Sequence, residues 1–318
     1  MNGKFVPENE AKVSIYDSSL MFGDMVFEMT RSFNKQQFKL RDHLERLYSS
    51  LKYVHIPLKM TIDEMEKACL DTIEKNEPSF TDTDEHRLMI NVSRGPLSIY
   101  SEIFDGKLEP LVIISDFPLK WTVSGMGKLF DTGINAVIPS QRAIPSHLLD
   151  AKIKNRSRIH YMMANIEVSH LPGENNWPLL LDPDGFVAEG TGDNFFLVKN
   201  NILYTPEPRN ILRGISRQYI FDLAKELDID YYEKNLELYD VVTADEAFMT
   251  GTPFCLLPVT KINGIEIGTG KRGTITNKLL TKWSDNIGLN IENQIKEFNQ
   301  EMNDYGLEGS TPYHFKDD

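Results

Sequence analysis

The residues Asp150-Ala-Lys-Ile-Lys-Asn-Arg-Ser-Arg-Ile-His-Tyr161 gather two lysines, two arginines, a histidine and a tyrosine into one short stretch. The apolar run Ile144-Pro-Ser-His-Leu-Leu149 precedes it, and the helix-like Met162-Met-Ala-Asn-Ile-Glu-Val168 comes after it. A lysine that attacks carbonyls must spend time as the free amine, and burial and neighbouring positive charge both lower its pKa enough to allow that. Lys154, entering a partly apolar turn with Arg156 and Arg158 close by, fits the recipe. A solvated basic loop would read the same way locally, so the rest of the chain has to decide.

A chain of 318 residues exceeds the roughly 250–300 at which single cores stop growing, and two domains are expected. The net charge of −13 argues against a nucleic-acid partner, because neutralising phosphates takes a basic surface. Any anionic ligand must instead be held locally, by a few placed arginines and backbone amides. Cys69 and Cys255 lie far apart without metal-ligand spacing and read as reduced core residues. The start of the chain lacks the basic-then-apolar pattern of a signal peptide. No apolar run approaches the roughly 18–20 residues of a membrane span. These features predict a cytoplasmic protein.

Along the chain, residues 2–7 read as a hairpin start, Val13-Ser-Ile15 as a short strand, and residues 18–24 as a loop. Met25 to Phe33 reads as a strand with Phe27, Met29, Arg31 and Phe33 on one face. An arginine among aromatics is either a snorkelling edge residue or a side chain aimed into a polar pocket. Residues 40–51 form an amphipathic helix with Asp42 as its N-cap, and residues 62–76 a second helix. Strands come next at 86–95 and 111–115, separated by a polar segment, Pro96 to Pro110, long enough for a mobile loop. This predicts an α+β domain over residues 1–120, a linker at 121–133, a larger domain at 134–299 and a polar tail at 300–318.

In the second part, Glu189 stands where a strand meets the glycine-rich Gly190-Thr-Gly192, and its ordinary reading is an exposed loop acid. Arg213-Gly-Ile-Ser216 opens a helix whose unpaired N–H groups suit an anion. The small-residue turn Thr250-Gly-Thr252 can do the same through backbone amides.

Taken together, six motifs resemble the class IV aminotransferases, the pyridoxal-phosphate enzymes of fold type IV. They are Phe22-Gly-Asp-Met-Val-Phe-Glu-Met-Thr-Arg31, His43-Leu-Glu-Arg46-Leu, Ile153-Lys154, Glu189-Gly-Thr-Gly-Asp-Asn-Phe-Phe, Arg213-Gly-Ile-Ser216 and Met249-Thr-Gly-Thr252. The resemblance covers about Asn2 to Leu280. It implies two domains, a small N-terminal α/β domain and a larger C-terminal pseudo-barrel, with pyridoxal 5'-phosphate between them. It also implies that Lys154 binds the cofactor covalently, with Lys152 as a decoy, and that Glu189 faces the pyridine nitrogen. Arg46, Ile215, Ser216 and Thr252 would form the phosphate cradle. The implied reaction is ping-pong exchange of an amino group between an amino acid and a 2-oxo acid. A homodimer is implied too, with the 96–106 loop of one subunit reaching the other's site.

Departures from the relatives bear on the substrate. Branched-chain enzymes carry a tyrosine where Phe22 stands, and another where Glu85 stands, two residues before the arginine kept here as Arg87. The Arg-x-His carboxylate trap of D-amino acid aminotransferases is missing from Arg94-Gly-Pro-Leu-Ser-Ile-Tyr100. The tyrosine expected five residues after the lysine is Ile159, which leaves Arg158 or Tyr161 to meet the cofactor's phenolic oxygen. Arg31 and Arg87 are the candidates for substrate carboxylate recognition, with Phe22 and Phe27 beside them. A branched-chain-like transaminase using glutamate as partner is favoured. The alternatives are a lyase of the aminodeoxychorismate type, a D-amino acid or amine transaminase, and an inactive binding protein on the same scaffold.

Overall fold

The computed structural model describes residues 1–303, and the chain divides into two compact units. The first comprises residues 1–119 with 153–158, and the second residues 120–152 with 159 onward. The lysine stretch therefore leaves the body to which its sequence neighbours on both sides belong. Among the described residues no helix is long and apolar enough to cross a membrane.

In the first unit a short helix α1 (Ser18–Phe22) leads into strand β1 (Met25–Met29) and the hairpin β2 (Ser32–Phe33) and β3 (Gln36–Gln37). Helices α2 (Leu40–Tyr53) and α3 (Ile62–Asn76) come next, then strands β4 (His86–Ser93) and β5 (Leu111–Pro118). The antiparallel sheet runs β1-β4-β5. Alternation along β1 and β4 sends Val26, Leu88, Ile90 and Val92 to one core with Leu44, Leu47 and Leu51 of α2 and Met65 and Cys69 of α3. Helix α3 starts on a capping box, in which Thr61 Oγ1 accepts from Glu64 N and the Glu64 carboxylate accepts from Thr61 N.

Several local expectations change here. The strand read through Phe33 ends at Met29. The Asn34-Lys35 turn, with both residues at positive φ, folds residues 32–37 into a tight hairpin. Lys39, in the left-handed region, caps α2. Asp42 lies one turn later, 3.4 Å from Lys39, where it still complements the helix dipole. Among the described residues Val13–Ile15 finds no partner strand, and residues 18–22 are helical, not loop. The polar segment after Pro96 contains a 3-10 helix, Ser98–Phe104, with Tyr100 4.8 Å from Tyr16.

The second unit begins with α4 (Lys120–Val123) and α5 (Leu129–Thr132). The predicted linker at 121–133 is thus packed structure, burying Val123, Met126, Leu129 and Phe130. Its glycines serve close approach, not flexibility. A Cβ on Gly127 would lie 3.3 Å from Lys296 Cα, and Gly133, at φ +73, passes over Thr260.

Strand β6 (Ile134–Val137), helix α6 (Ile159–Ser169) and strands β7 (Asn176–Leu181), β8 (Val187–Gly190), β9 (Asn194–Lys199) and β10 (Ile202–Pro206) come next. After them stand α7 (Ile215–Glu226), β11 (Tyr231–Lys234), α8 (Leu238–Val242), β12 (Glu246–Gly251), β13 (Cys255–Ile262) and β14 (Ile265–Glu266). Helices α9 (Thr274–Ile287) and α10 (Ile291–Asn303) complete the described chain. The predicted tail at 300–318 begins inside α10, and residues 304–318 lie outside the described residues.

The sheet runs β11-β10-β9-β12-β13-β6-β7-β8, and β8 returns to β9 through the pair Glu189↔Asn194. That pairing closes a six-stranded pseudo-barrel. Phe195, Phe196, Phe248, Leu256 and Leu257 are wholly buried, and the rings of Phe196 and Phe248 stack 5.0 Å apart. Strands buried on both faces explain why this part of the sequence reads as continuous apolar runs instead of clean alternation.

Replacing Thr61 by Ala removes one half of the α3 capping box, and should lower unfolding stability by about 1 kcal/mol. A urea titration would show this as an earlier midpoint at unchanged slope.

Candidate active site

Residues 153–158 lie along the free edge of β1. Phe27 N donates to Lys154 O and Arg156 N to Met25 O, both at 2.9 Å, and Asn155 bridges Val26. The pleat sends Ile153 into the core of the first unit and Lys154 to the opposite face. There Lys154 Nζ sits 4.9 Å from the Phe27 ring centre, Arg156 Cζ 3.6 Å and Arg158 Cζ 5.6 Å. Lys152, by contrast, belongs to the second unit, with its Nζ 2.7 Å from Asp150 Oδ1.

Behind β1 stands an ion cluster that the sequence reading did not assign. Glu28 is wholly buried and accepts from Arg46 Nε at 2.6 Å, from Arg46 Nη2 at 2.7 Å and from His43 at 2.8 Å. Burial opposes its ionisation, yet Arg46 and the hydrogen bonds from His43 and Arg46 prevail and hold the carboxyl well below its ordinary range. Burial pushes the His43 imidazole the other way, toward the neutral form. The available signal was an acid on the Val26 face of a strand opposite a His-x-x-Arg pair on one helix face. Arg46 lies in the first unit, where two of its nitrogens hold Glu28. Ile215, Ser216 and Thr252 lie in the second.

Arg31 and Arg87 are 1% and 5% exposed. The Arg31 guanidinium stacks on Phe33 at 3.8 Å and its Nε donates to Ser32 O. At that burial Arg31 is not a snorkelling edge residue. Arg87 Nη1 reaches Thr30 O at 3.5 Å, while its Nε has no partner. Burial, and then the Arg31 charge, pull the Arg87 guanidinium below its ordinary value. The Glu85 carboxylate accepts from Ser32 Oγ, Asn34 N and Lys35 N, which anchors the hairpin that carries Arg31. Phe27 is buried, whereas Phe22 is 65% exposed at the end of α1.

In the second unit Glu189 is 5% exposed, which overturns its reading as an ordinary loop acid. Tyr161 Oη donates to Oε1 at 3.0 Å, while Asn194 Nδ2 and Leu212 N donate to Oε2, each at 3.0 Å. Asn194 is also its partner at the barrel closure. Helix α7 opens at Gly214 with no side-chain cap, leaving the amides of Ile215 and Ser216 uncapped by any side chain. A Cβ on Gly214 would lie 2.2 Å from Asn194 Oδ1, so the helix can start here only at a glycine. Thr252 lies in the turn between β12 and β13, which Thr250 Oγ1 fastens to Cys255 O at 2.6 Å.

The first unit thus presents Lys154 on its sheet edge, and the second holds the buried Glu189 beside the start of α7. The amino-transferase class IV family model matches residues 25–262, and the chain belongs to that family. It is similar to a Methanocaldococcus jannaschii protein provisionally named branched-chain-amino-acid aminotransferase, 37% identical over 287 residues covering 90% of this chain and 94% of that one. The branched-chain-amino-acid aminotransferase of Escherichia coli K12 is 31% identical over 289 residues, covering 87% and 89%. The crystal structure of an E. coli branched-chain amino acid aminotransferase superposes with a TM-score of 0.79 at 29% identity, covering 91% of this chain and 92% of that one. Class IV aminotransferases use pyridoxal phosphate, and this chain is a pyridoxal-phosphate-dependent transaminase of fold type IV. The residues present fit that cofactor: Glu189 is a fixed acceptor for a ring N–H, and the start of α7 suits a phosphate.

The depressed Glu28 ionisation makes a stability prediction. Its contribution is fully present above the ordinary carboxylate range and is lost progressively as pH falls from there toward the depressed value. Glu28→Gln should therefore cost about 3 kcal/mol at pH 7. Its deficit against the parent protein should shrink in acid, as measured by denaturation at pH 7 and pH 3.

Proposed function

We propose that this transaminase moves the amino group of branched-chain-like L-amino acids, with glutamate as the partner donor, in a ping-pong cycle. The observation that carries the reading is Lys154, held on the β1 edge with its amine on the cationic Phe27 face. The named relatives support the branched-chain assignment.

In this reading Lys154 Nζ would hold the cofactor covalently and, once freed by the substrate amine, would serve as the base for the substrate Cα proton. Pyridoxal phosphate, when bound, supplies the electron sink for that step. Glu189 would accept from the pyridine N–H, and the hydrogen bonds from Tyr161, Asn194 and Leu212 hold its carboxylate in place. Arg46, Ile215, Ser216 and Thr252 hold the phosphate. Arg158 would meet the phenolic oxygen, since Tyr161, the alternative, donates its hydroxyl proton to Glu189.

Arg31 and Arg87 take the substrate carboxylate, and Phe22 and Phe27 line the approach. Glu85 cannot replace the tyrosine of the branched-chain relatives, because its oxygens are committed to the β2–β3 hairpin.

The same reading includes a cytoplasmic homodimer. Exposed Ile15, Leu20, Phe22, Ile99 and Ile103 in the first unit support burial against a second copy.

Visible absorbance of the holoenzyme tests the reaction. L-leucine, L-valine or L-glutamate should bleach the cofactor band, and 2-oxo acids should restore it. A response to D-amino acids alone would overturn the stereochemistry, and pyruvate release without exchange would point to the lyase. Lys154→Ala should lose both band and activity. Arg87→Met should lower kcat/KM for carboxylate substrates about tenfold to a hundredfold, as loss of a charged hydrogen bond predicts.

A further inference from the structure

Arg217 has no role in that cycle, yet it is buried in the first turn of α7, directly after Ile215 and Ser216. Its Nη2 donates to the carbonyl of Pro206, the last residue of β10, at 3.0 Å and to Glu233 Oε1 of β11. The guanidinium lies 4.8 Å from the ring centre of Phe221, one turn further along the same helix. That ring in turn stacks on Tyr231 of β11 at 4.6 Å. Strands β10 and β11 pair with Thr205 opposite Glu233 and Pro206 opposite Lys234, at the β11 end of the sheet. One side chain therefore straps the opening turn of the helix to two adjacent strands.

That placement is unfavourable by itself. A cation in the first turn opposes the helix dipole, which favours negative charge there. Burial pulls the guanidinium below its ordinary value, and the hydrogen bond and charge of Glu233 offset this only in part. Among the described residues its Nε has no partner. An apolar side chain of similar size would fill the place at less cost. What arginine supplies instead is a double tie, to a backbone carbonyl on one strand and a carboxylate on the next. The helix start has need of one. Its first amides have no helical carbonyl to meet, the earliest such bond running from Gln218 N to Gly214 O, and Gly214 offers no capping side chain.

We propose that Arg217 is a positioning residue for the cofactor's phosphate: by strapping the first turn of α7 to β10 and β11, it holds the Ile215 and Ser216 amides in place and so sets the affinity for the phosphate half of the cofactor. This rests on the reading of the start of α7 as the phosphate site. Amide donors bind an anion well only when they are fixed before it arrives, because a loose turn must be ordered at the expense of binding. Losing the strap therefore weakens the phosphate contacts and leaves those of the ring unchanged.

The test is the affinity of the full chain, freed of cofactor, for pyridoxal 5'-phosphate and for pyridoxal, which lacks the phosphate, followed by visible absorbance. Arg217→Met should weaken binding of the phosphate ester about tenfold to a hundredfold and leave pyridoxal within about threefold of the parent. Glu233→Gln alters the same strap at its solvent-exposed end, should act in the same direction, and carries the test if Arg217→Met does not fold. Equal losses for both ligands overturn the proposal, because the residue would then serve the fold as a whole. No loss for the phosphate ester in the variant that folds overturns it as well. Ile215→Pro separates the two layers. Proline suits a first helical position and the extended Gly214 before it, so the change removes the Ile215 amide N–H without breaking the helix. If Ile215→Pro keeps the parent's preference for the phosphate ester over pyridoxal, the start of α7 is not the phosphate site and the reading beneath fails. If Ile215→Pro reduces that preference while Arg217→Met keeps it, only the role of Arg217 fails.

Discussion

The pairing of residues 153–158 with the open edge of β1 is the constraint on which the site depends. Two backbone hydrogen bonds and one bridge take a segment out of the body that surrounds it in sequence and add it to the first unit's sheet. Because side chains alternate along a strand, seating Ile153 in the core determines that Lys154 faces Phe27, with Arg156 and Arg158 on the same ring. A one-residue slip would bury the lysine and expose the isoleucine, and the apolar core makes that slip costly. The edge of a sheet, usually a liability, is here covered by the chain's own lysine-bearing segment.

Charges in the first unit are arranged in two contrasting ways. Behind β1, Glu28 and Arg46 form a buried pair with His43, satisfied by hydrogen bonds on both carboxylate oxygens. Nearby, Arg31 and Arg87 are buried close enough to repel, and the adjacent acid Glu85 is committed to the hairpin turn. The first arrangement stabilises the scaffold. The second leaves two buried like charges close together, and the Arg31 charge pulls the Arg87 guanidinium below its ordinary value.

In the second unit one backbone feature likewise serves both fold and site at Glu189. It occupies the one position where β8 meets β9 and closes the barrel, so the backbone pairing that completes the fold also aims its carboxylate. Asn194 serves that pairing, donates to Glu189, and also donates to Leu212 O beside the start of α7. Gly214 is required there because any Cβ would strike the Asn194 oxygen.

Much of this was legible in the sequence. The helical period marked α2 and α3, the motif order identified the family, and Lys154 stood out by residue type and spacing, while Glu189 and the helix opening at Ile215 were assigned to the cofactor only through the family resemblance. Those signals are local, and local sterics and hydrogen bonding decide them. The packed helices at 120–132 were not legible, because glycines that permit close approach look the same as glycines that permit flexibility. Nor was the burial of Glu189, the Glu28–Arg46–His43 cluster, the diversion of Glu85 to a turn, or the place of Arg156 on Phe27. Each of these joins residues distant in the chain, and only the folded backbone sets which charges meet and how far each is removed from water.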